Sequence, residues 1–153
     1  MNIVNGRTAT EFMPNAYITR AEFATIFARF AEYNYSATDN FTDVKGHWAE
    51  AYINEAAAYG WIAGYEDNTF RPNNLITRAE SMTLINRVLK RVPENTGDLL
   101  QGMSVWTDNT NTSMWYYIAV QEATNSHKFT MKNSSNEKWT ELTENKDWTV
   151  FEK

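Results

Sequence analysis

Hydrophobic positions along the chain fall into short helical stripes separated by polar, turn-rich loops. Phe23, Ile26, Phe27 and Phe30 recur at the i, i+3, i+4, i+7 spacing of one helix face, and Leu84, Ile85 and Val88 repeat the last three of those positions. Trp48, Tyr52, Ile53, Ala56 and Ala57 mark the buried stripe of a shorter helix. Gly60 is placed to end that helix, since glycine takes the left-handed backbone of a helix stop without a Cβ penalty. Thr19-Arg20-Ala21-Glu22 and Thr77-Arg78-Ala79-Glu80 each read as a capping box. In such a box the Thr hydroxyl accepts the N–H of the Glu, whose carboxylate accepts the N–H of the Thr. Between residues 61 and 72, Gly64, Asp67, Asn68 and Pro72 predict an ordered turn. Pro93 is expected to end the second long helix, having no N–H to donate. Residues 128–132 and 138–142, around a turn at 133–136, predict a short C-terminal β-hairpin.

These elements repeat. Residues 12–22 return at 70–80, 58 positions on, and the match extends back to Gly6 and Gly64 and forward to Arg29 and Arg87. A second pattern, Phe41-Thr42-Asp43 followed by Trp48, returns as Trp106-Thr107-Asp108 followed by Trp115. Only the middle copy carries both patterns, so the two are halves of one helix-loop-helix unit. The chain divides into a back half at 1–35, a complete repeat at 36–93, a front half at 103–126 and a divergent tail at 127–153. Repeats of this length stack and share a core. The predicted fold is therefore mainly α, a small bundle of tandem helix-loop-helix repeats with a short hairpin at its end.

Composition narrows the function. With 42% apolar and 22% charged residues, the 153-residue chain is globular in character. No apolar run reaches the 18 or so residues of a membrane span, so membrane insertion is not expected. A net charge of -5 without a basic block disfavours nucleic acid, whose affinity rests on neutralising phosphates. The absence of cysteine excludes disulfides and thiolate metal sites. The first residues hold no basic region followed by an apolar stretch, so the expectation is either an intracellular protein or a piece of a longer one. Signatures for nucleophilic serine, phosphate loops, dinucleotide binding and zinc proteases are missing. His47 and His127 are the only histidines, and neither is marked by spacing as half of a catalytic pair. The stretch Asp108-Asn109-Thr110-Asn111-Thr112 lacks the glycine of a calcium loop and has Ala119 at the position of its bidentate Glu. No metal, cofactor or catalysis is expected.

Taken together, Phe41-x-Asp43-Val44…His47-Trp48-Ala49, the loop Gly64-Tyr65-x-Asp67-x-Thr69-Phe70-x-Pro72-Asn73, and Ile76-Thr77-Arg78-Ala79-Glu80 resemble the S-layer homology domain. The resemblance implies three units in a pseudo-threefold bundle and an extracellular location at the bacterial cell wall or surface layer. It implies non-covalent anchoring, with a secondary cell-wall polysaccharide, often carrying acidic pyruvate ketals, held in grooves between units. This chain departs from the pattern: Asn68 stands where the family commonly has Gly, and Ala9 replaces the loop Asp in the first copy.

Arg20 and Arg78 are the foremost ligand candidates. A guanidinium fork matches a carboxylate bidentately, although an arginine at a helix start also suits pairing with a neighbouring unit. Trp48 and Trp115 read first as core pillars and second as sugar platforms. Asp43 and Asp108 read first as caps or turn residues of the front helix and second as groove contacts. Gly64, with Gly6, reads as a backbone necessity and then as a point of close ligand approach. Thr19, Glu22, Thr77 and Glu80 are assigned to capping alone. The alternative function is a protein assembly module without glycan binding, in which a second copy or a missing parent domain completes the half repeats.

Overall fold

A computed structural model describes residues 3–8, 10–31, 39–145 and 147. It holds four α-helices, α1 Arg20–Ala28, α2 Glu50–Ala58, α3 Arg78–Val88 and α4 Tyr117–Thr124, a 3-10 turn at Thr96–Asp98, and strands β1 His127–Met131 and β2 Glu137–Leu142. Among the described residues helix makes up 29% and strand 10%. The "mainly α" expectation thus holds only loosely, because ordered loop occupies much of each repeat. The predicted hairpin is present, antiparallel, with an irregularity between Lys128 and Phe129. Its turn is tied by Asn133, whose side-chain oxygen accepts the N–H groups of Ser135 and Asn136 at 2.8 Å each.

The chain forms two compact units, Met1–Thr77 and Arg78–Lys153. This division falls inside the complete sequence repeat. In the first unit α1, from the first back half, packs on α2, from the following front half; in the second, α3 packs on α4 in the same staggered way. The α1 N-terminus is built as expected, with Thr19 and Glu22 forming both bonds of the capping box. The N–H groups of Arg20 and Ala21 have no intrahelical acceptor. They donate instead to the carbonyls of Asn74 (2.8 Å) and Pro72 (3.0 Å). The start of α1 is thereby docked on the loop of the next repeat.

The buried face of α1 differs from the one the periodicity suggests. Ala21, Ala24 and Ala28 are buried with Thr25, whereas Phe23, Ile26 and Phe27 are half-buried and Phe30 is 54% exposed. The reason is the partner: Ala21 and Ala24 meet Val44, Ala49, Ile53 and Phe70, and alanines on both helices permit a close approach that phenylalanines would block. The aromatic stripe packs on itself, Phe23 against Phe27 at 5.0 Å between centroids. Likewise in the second unit Leu84 is buried while Ile85 lies at the surface. There the core consists of Leu99, Tyr117 and Trp139, with Trp139 supplied by the hairpin.

Helix α2 ends as its glycine suggests. Gly60 has φ +70°, and the N–H groups of Gly60 and Trp61 return to the carbonyls of Ala57 and Ala56, a Schellman motif. Helix α3 uses the same bonds, Lys90 to Arg87 and Arg91 to Asn86, with Lys90 at φ 57° in place of glycine. The stop at Val88 is therefore made by this motif, ahead of Pro93. Among the described residues no helix is long and apolar enough to cross a membrane.

Candidate functional site

In the first unit the N-terminal loop, the outer face of α1 and Trp48 enclose a cavity of about 620 Å³. Trp48 reaches it because its neighbours turn inward: Val44 and Ala49 are buried, at 1% and 0%, leaving Trp48 60% exposed on the opposite side of the turn. His47 fixes that turn. Its Nδ1 accepts the Ala49 N–H at 3.2 Å, which leaves the Nε2 proton for the Asn73 side-chain oxygen at 3.1 Å. Phe12 and Tyr17, 60% and 80% exposed, line the cavity with Trp48. Such rings offer flat apolar faces.

Three charged side chains line the cavity: Arg7, Glu22 and Arg29. Arg7 binds both oxygens of Glu22 at 2.9 Å and the Tyr17 carbonyl at 2.9 Å. Burial alone would raise the Glu22 pKa. The Thr19 N–H, the Arg7 guanidinium and the Thr19 hydroxyl outweigh burial and hold it below the ordinary carboxylate value. Glu22 thus joins the cap of α1 to the cavity wall. Arg29, the C-cap of α1, donates from Nη1 to the Ile3 carbonyl at 3.0 Å and rests over the Tyr52 ring at 5.3 Å.

The sequence-predicted site residues separate into groups. Arg20 is turned inward, 7% exposed; its Nε donates to the Phe70 carbonyl at 2.8 Å and its guanidinium lies over the rings of Phe70 (4.6 Å) and Tyr65 (4.9 Å). Asp43 does not cap the front helix. Its two oxygens accept the N–H groups of Phe70 (2.7 Å) and Arg71 (2.8 Å). Those donors belong to the loop of the same repeat, and α2 has no side-chain cap. Gly64 lies in that loop, where an added Cβ would sit 2.5 Å from the Phe41 ring and 2.7 Å from the Thr69 carbonyl. Asn68 adopts φ 59°, as a glycine substitute must. Asp67 accepts from the Thr69 hydroxyl and N–H and from Arg71, which together hold its pKa at about 2. Arg20, Asp43 and Gly64 are thus brought together around one loop, while Trp48 joins the cavity.

The remaining candidates lie in the second unit. Arg78 is exposed at the first position of α3, directly after Thr77, with Glu80 in the first turn. Trp115 is 62% exposed, so neither Trp48 nor Trp115 is a core pillar. The flanking buried residues, Ala49 and Tyr117, take that place. Asp108 is exposed and accepts no hydrogen bond among the described residues. The loop that Asp43 clamps has no counterpart after α4, where the hairpin follows instead.

Sequence reasoning missed a cluster in this unit. Glu122, His127 and Glu137 place donor atoms within 4.8 Å of one another, with side chains 3%, 2% and 0% exposed. Arg91 pairs with Glu122 at 3.0 Å and with Glu137 at 2.5 Å, and its Nη2 is 2.6 Å from His127 Nε2. The guanidinium fills the centre of the donor set, so the arrangement reads as a closed ion network, with the cation supplied by the chain. Trp139 Nε1 donates to Glu122 at 2.7 Å, and its ring stacks on His127 at 4.0 Å. Strand register pairs His127 with Leu142 and Glu137 with Met131, so hairpin pairing gives no sign that the two side chains meet. The one signal was recurrence: Glu122 repeats Glu55, and both are buried.

The S-layer homology domain family profile matches residues 1–24 and 40–80. The chain is 39% identical over 143 residues to a cellulosome-anchoring protein of Acetivibrio thermocellus, covering 89% of the chain and 30% of that protein. It is 34% identical over 146 residues to cell surface glycoprotein 1 of the same organism, covering 87% of the chain and 6% of that protein. A surface layer protein of Brevibacillus choshinensis is 32% identical over 107 residues, 63% of the chain and 9% of that protein. The chain spans less than a third of the length of each of these relatives.

Proposed function

Because the chain belongs to the S-layer homology domain family, we propose that it is a non-catalytic module that anchors a protein to the outside of a bacterial cell. Its relatives' names, cellulosome-anchoring, cell surface and surface layer, support that location. The ligand in this reading is a secondary cell-wall polysaccharide bearing acidic groups such as pyruvate ketals. The observation that carries it is the cavity of about 620 Å³ walled by Phe12, Tyr17 and Trp48, with guanidinium groups at its edge. Exposed rings beside a cation suit a sugar that has one apolar face and one anionic substituent.

Residue roles follow from position. Trp48 stacks on a sugar ring. Arg78, Asp108 and Trp115, exposed in the second unit, serve a second groove of the same kind. Arg20, Asp43 and Gly64 act on the glycan through the loop they hold. Cosedimentation with Gram-positive sacculi, before and after acid stripping of their secondary polysaccharide, tests the reading. Binding that is lost on stripping supports it, and absence of binding to intact walls from several sources overturns it.

A second reading, a protein assembly module, is favoured by one observation. Asp108, Trp106 and Trp115 are all exposed, whereas Asp43 clamps a loop. In that reading a second copy or a parent domain supplies the missing loop. Light scattering across a hundredfold concentration range separates the two-copy version from a monomer.

A further inference from the structure

We infer that the N-terminal turn at residues 12–16 docks on the second unit of another copy of this chain, filling the loop position left open beside Asp108. This inference rests on the assembly reading above and names its partner and contact residues. The first unit contains the template, a turn at residues 70–74 gripped from two sides. Asp43 accepts the N–H groups of Phe70 and Arg71 at 2.7 and 2.8 Å. The carbonyls of Pro72 and Asn74 accept the N–H groups of Ala21 and Arg20, at the start of α1, at 3.0 and 2.8 Å. Between these contacts the Phe70 ring, 2% exposed, lies 5.4 Å from the ring of Phe41.

The second unit has the gripping parts without a turn to grip. Asp108, Trp106 and the start of α3 repeat Asp43, Phe41 and the start of α1, and α3 packs on α4 as α1 packs on α2. Among the described residues Asp108 accepts no hydrogen bond, and the N–H groups of Arg78 and Ala79 have no acceptor. Trp106 is 55% exposed at the position where Phe41 is half-buried. The N-terminal turn is the reverse case, gripped by nothing. Met13 has φ 55° and Arg71 has φ 57°, a left-handed backbone that is costly for a side chain with a Cβ. The Ala16 N–H returns to the Met13 carbonyl at 3.1 Å, as the Asn74 N–H returns to that of Arg71 at 3.1 Å. The turn therefore already has the gripped shape. Yet the N–H groups of Phe12 and Met13 meet no acceptor among the described residues, and Phe12 is 60% exposed where Phe70 is buried.

Laid on the template, Asp108 accepts these two N–H groups, Phe12 packs on Trp106, and the carbonyls of Pro14 and Ala16 accept the N–H groups that open α3. Each open group on one surface meets its complement on the other, and every copy carries both surfaces. A second copy is thus the occupant. The two surfaces differ, so the contact is heterologous and either closes a ring or extends as a chain. One turn on one surface is a small contact, which makes the association weak and reversible.

The test measures the mass of the full chain by sedimentation velocity up to millimolar protein. Wild type is expected to self-associate as concentration rises. Phe12→Asp spoils the turn by setting a carboxylate against Asp108, and Trp106→Ser with Asp108→Asn spoils the receptor. Each variant alone is expected to stay monomeric, with the circular dichroism of wild type. Asp108→Asn by itself keeps the shape and is expected to weaken association roughly tenfold, the scale of a hydrogen bond to a charged group. Mixing the two monomeric variants leaves one intact turn facing one intact receptor, so a one-to-one heterodimer is expected, a recovery that misfolding cannot produce. Wild type that stays monomeric at every concentration overturns this inference and the assembly reading together, and leaves the anchoring function standing. Self-association that survives in both variants, or a mixture that does not recover it, overturns the inference and leaves the assembly reading standing.

Discussion

Removing Arg91 should expose how much the second unit depends on its buried ion network. In Arg91→Met the apolar stem is kept and the guanidinium is lost. Glu137 and Glu122, with side chains 0% and 3% exposed, then retain only His127 and the Trp139 N–H as partners. Breaking a buried pair from one side costs about 3–5 kcal/mol, because the carboxylate left behind is neither paired nor hydrated. Relief comes from protonation. Glu137 already titrates above its ordinary value, from burial first and the neighbouring Glu122 charge, with Arg91 the group that opposes the rise. Without Arg91 the proton is held more tightly, so the cost at pH 7 should shrink as pH falls toward 5. The double variant Arg91→Met/Glu137→Gln should recover at least about 1 kcal/mol relative to Arg91→Met, having one fewer buried charge to strand. Urea unfolding followed by Trp fluorescence gives the stabilities. Hydrogen exchange of the β1–β2 amides assigns the loss to this unit. A loss below about 1 kcal/mol at pH 7, or one that does not change with pH, would refute the claim that Arg91 neutralises these carboxylates.

Three further outcomes are expected. For the wild type, His127 titrates above 6.5: burial lowers it, but the Glu122 bond and charge, the Asn125 carbonyl and Glu137 raise it more. Its stabilisation is full below about pH 6.5 and is lost as pH rises through the folded pKa; Glu22 and Asp98, held low, lose theirs as pH falls below about 4.5. Stability should therefore peak between those limits, and His127→Gln should flatten the alkaline side of the curve. Gly64→Ala should cost about 1–3 kcal/mol in thermal unfolding, since Phe41 and the Thr69 carbonyl, which accepts the Tyr65 N–H at 2.8 Å, both stand in the way; an unchanged melting temperature would show that the loop yields. Lys90→Gly should stabilise by about 1 kcal/mol, removing a left-handed non-glycine residue from the α3 stop; a lower melting temperature would contradict this.

Local elements and their repetition were legible along the chain. Helix starts were legible in Thr19 and Glu22 because a capping box closes within four residues. The α2 stop was legible in Gly60, and the hairpin in its polar turn, because these too are short-range geometries. The Asn68 turn followed from backbone tolerance alone. What lay beyond local reach was pairing. Which face of α1 enters the core depends on α2, and the alanines won over the phenylalanines because two helices with small contact residues approach closely. Arg20 and Arg29 are both arginines of one short helix segment, yet only tertiary placement puts the first against Phe70 and the second at the cavity edge. Trp48 and Trp115, expected inside, are outside because their buried neighbours fix the turn that carries them. Arg91, Glu122, His127 and Glu137 come from four separate places in the second unit, and no spacing encodes their meeting. Periodicity records what a residue does within its own turn of helix or strand. Burial and charge pairing are properties of surfaces brought together across the chain, and the fold alone decides them.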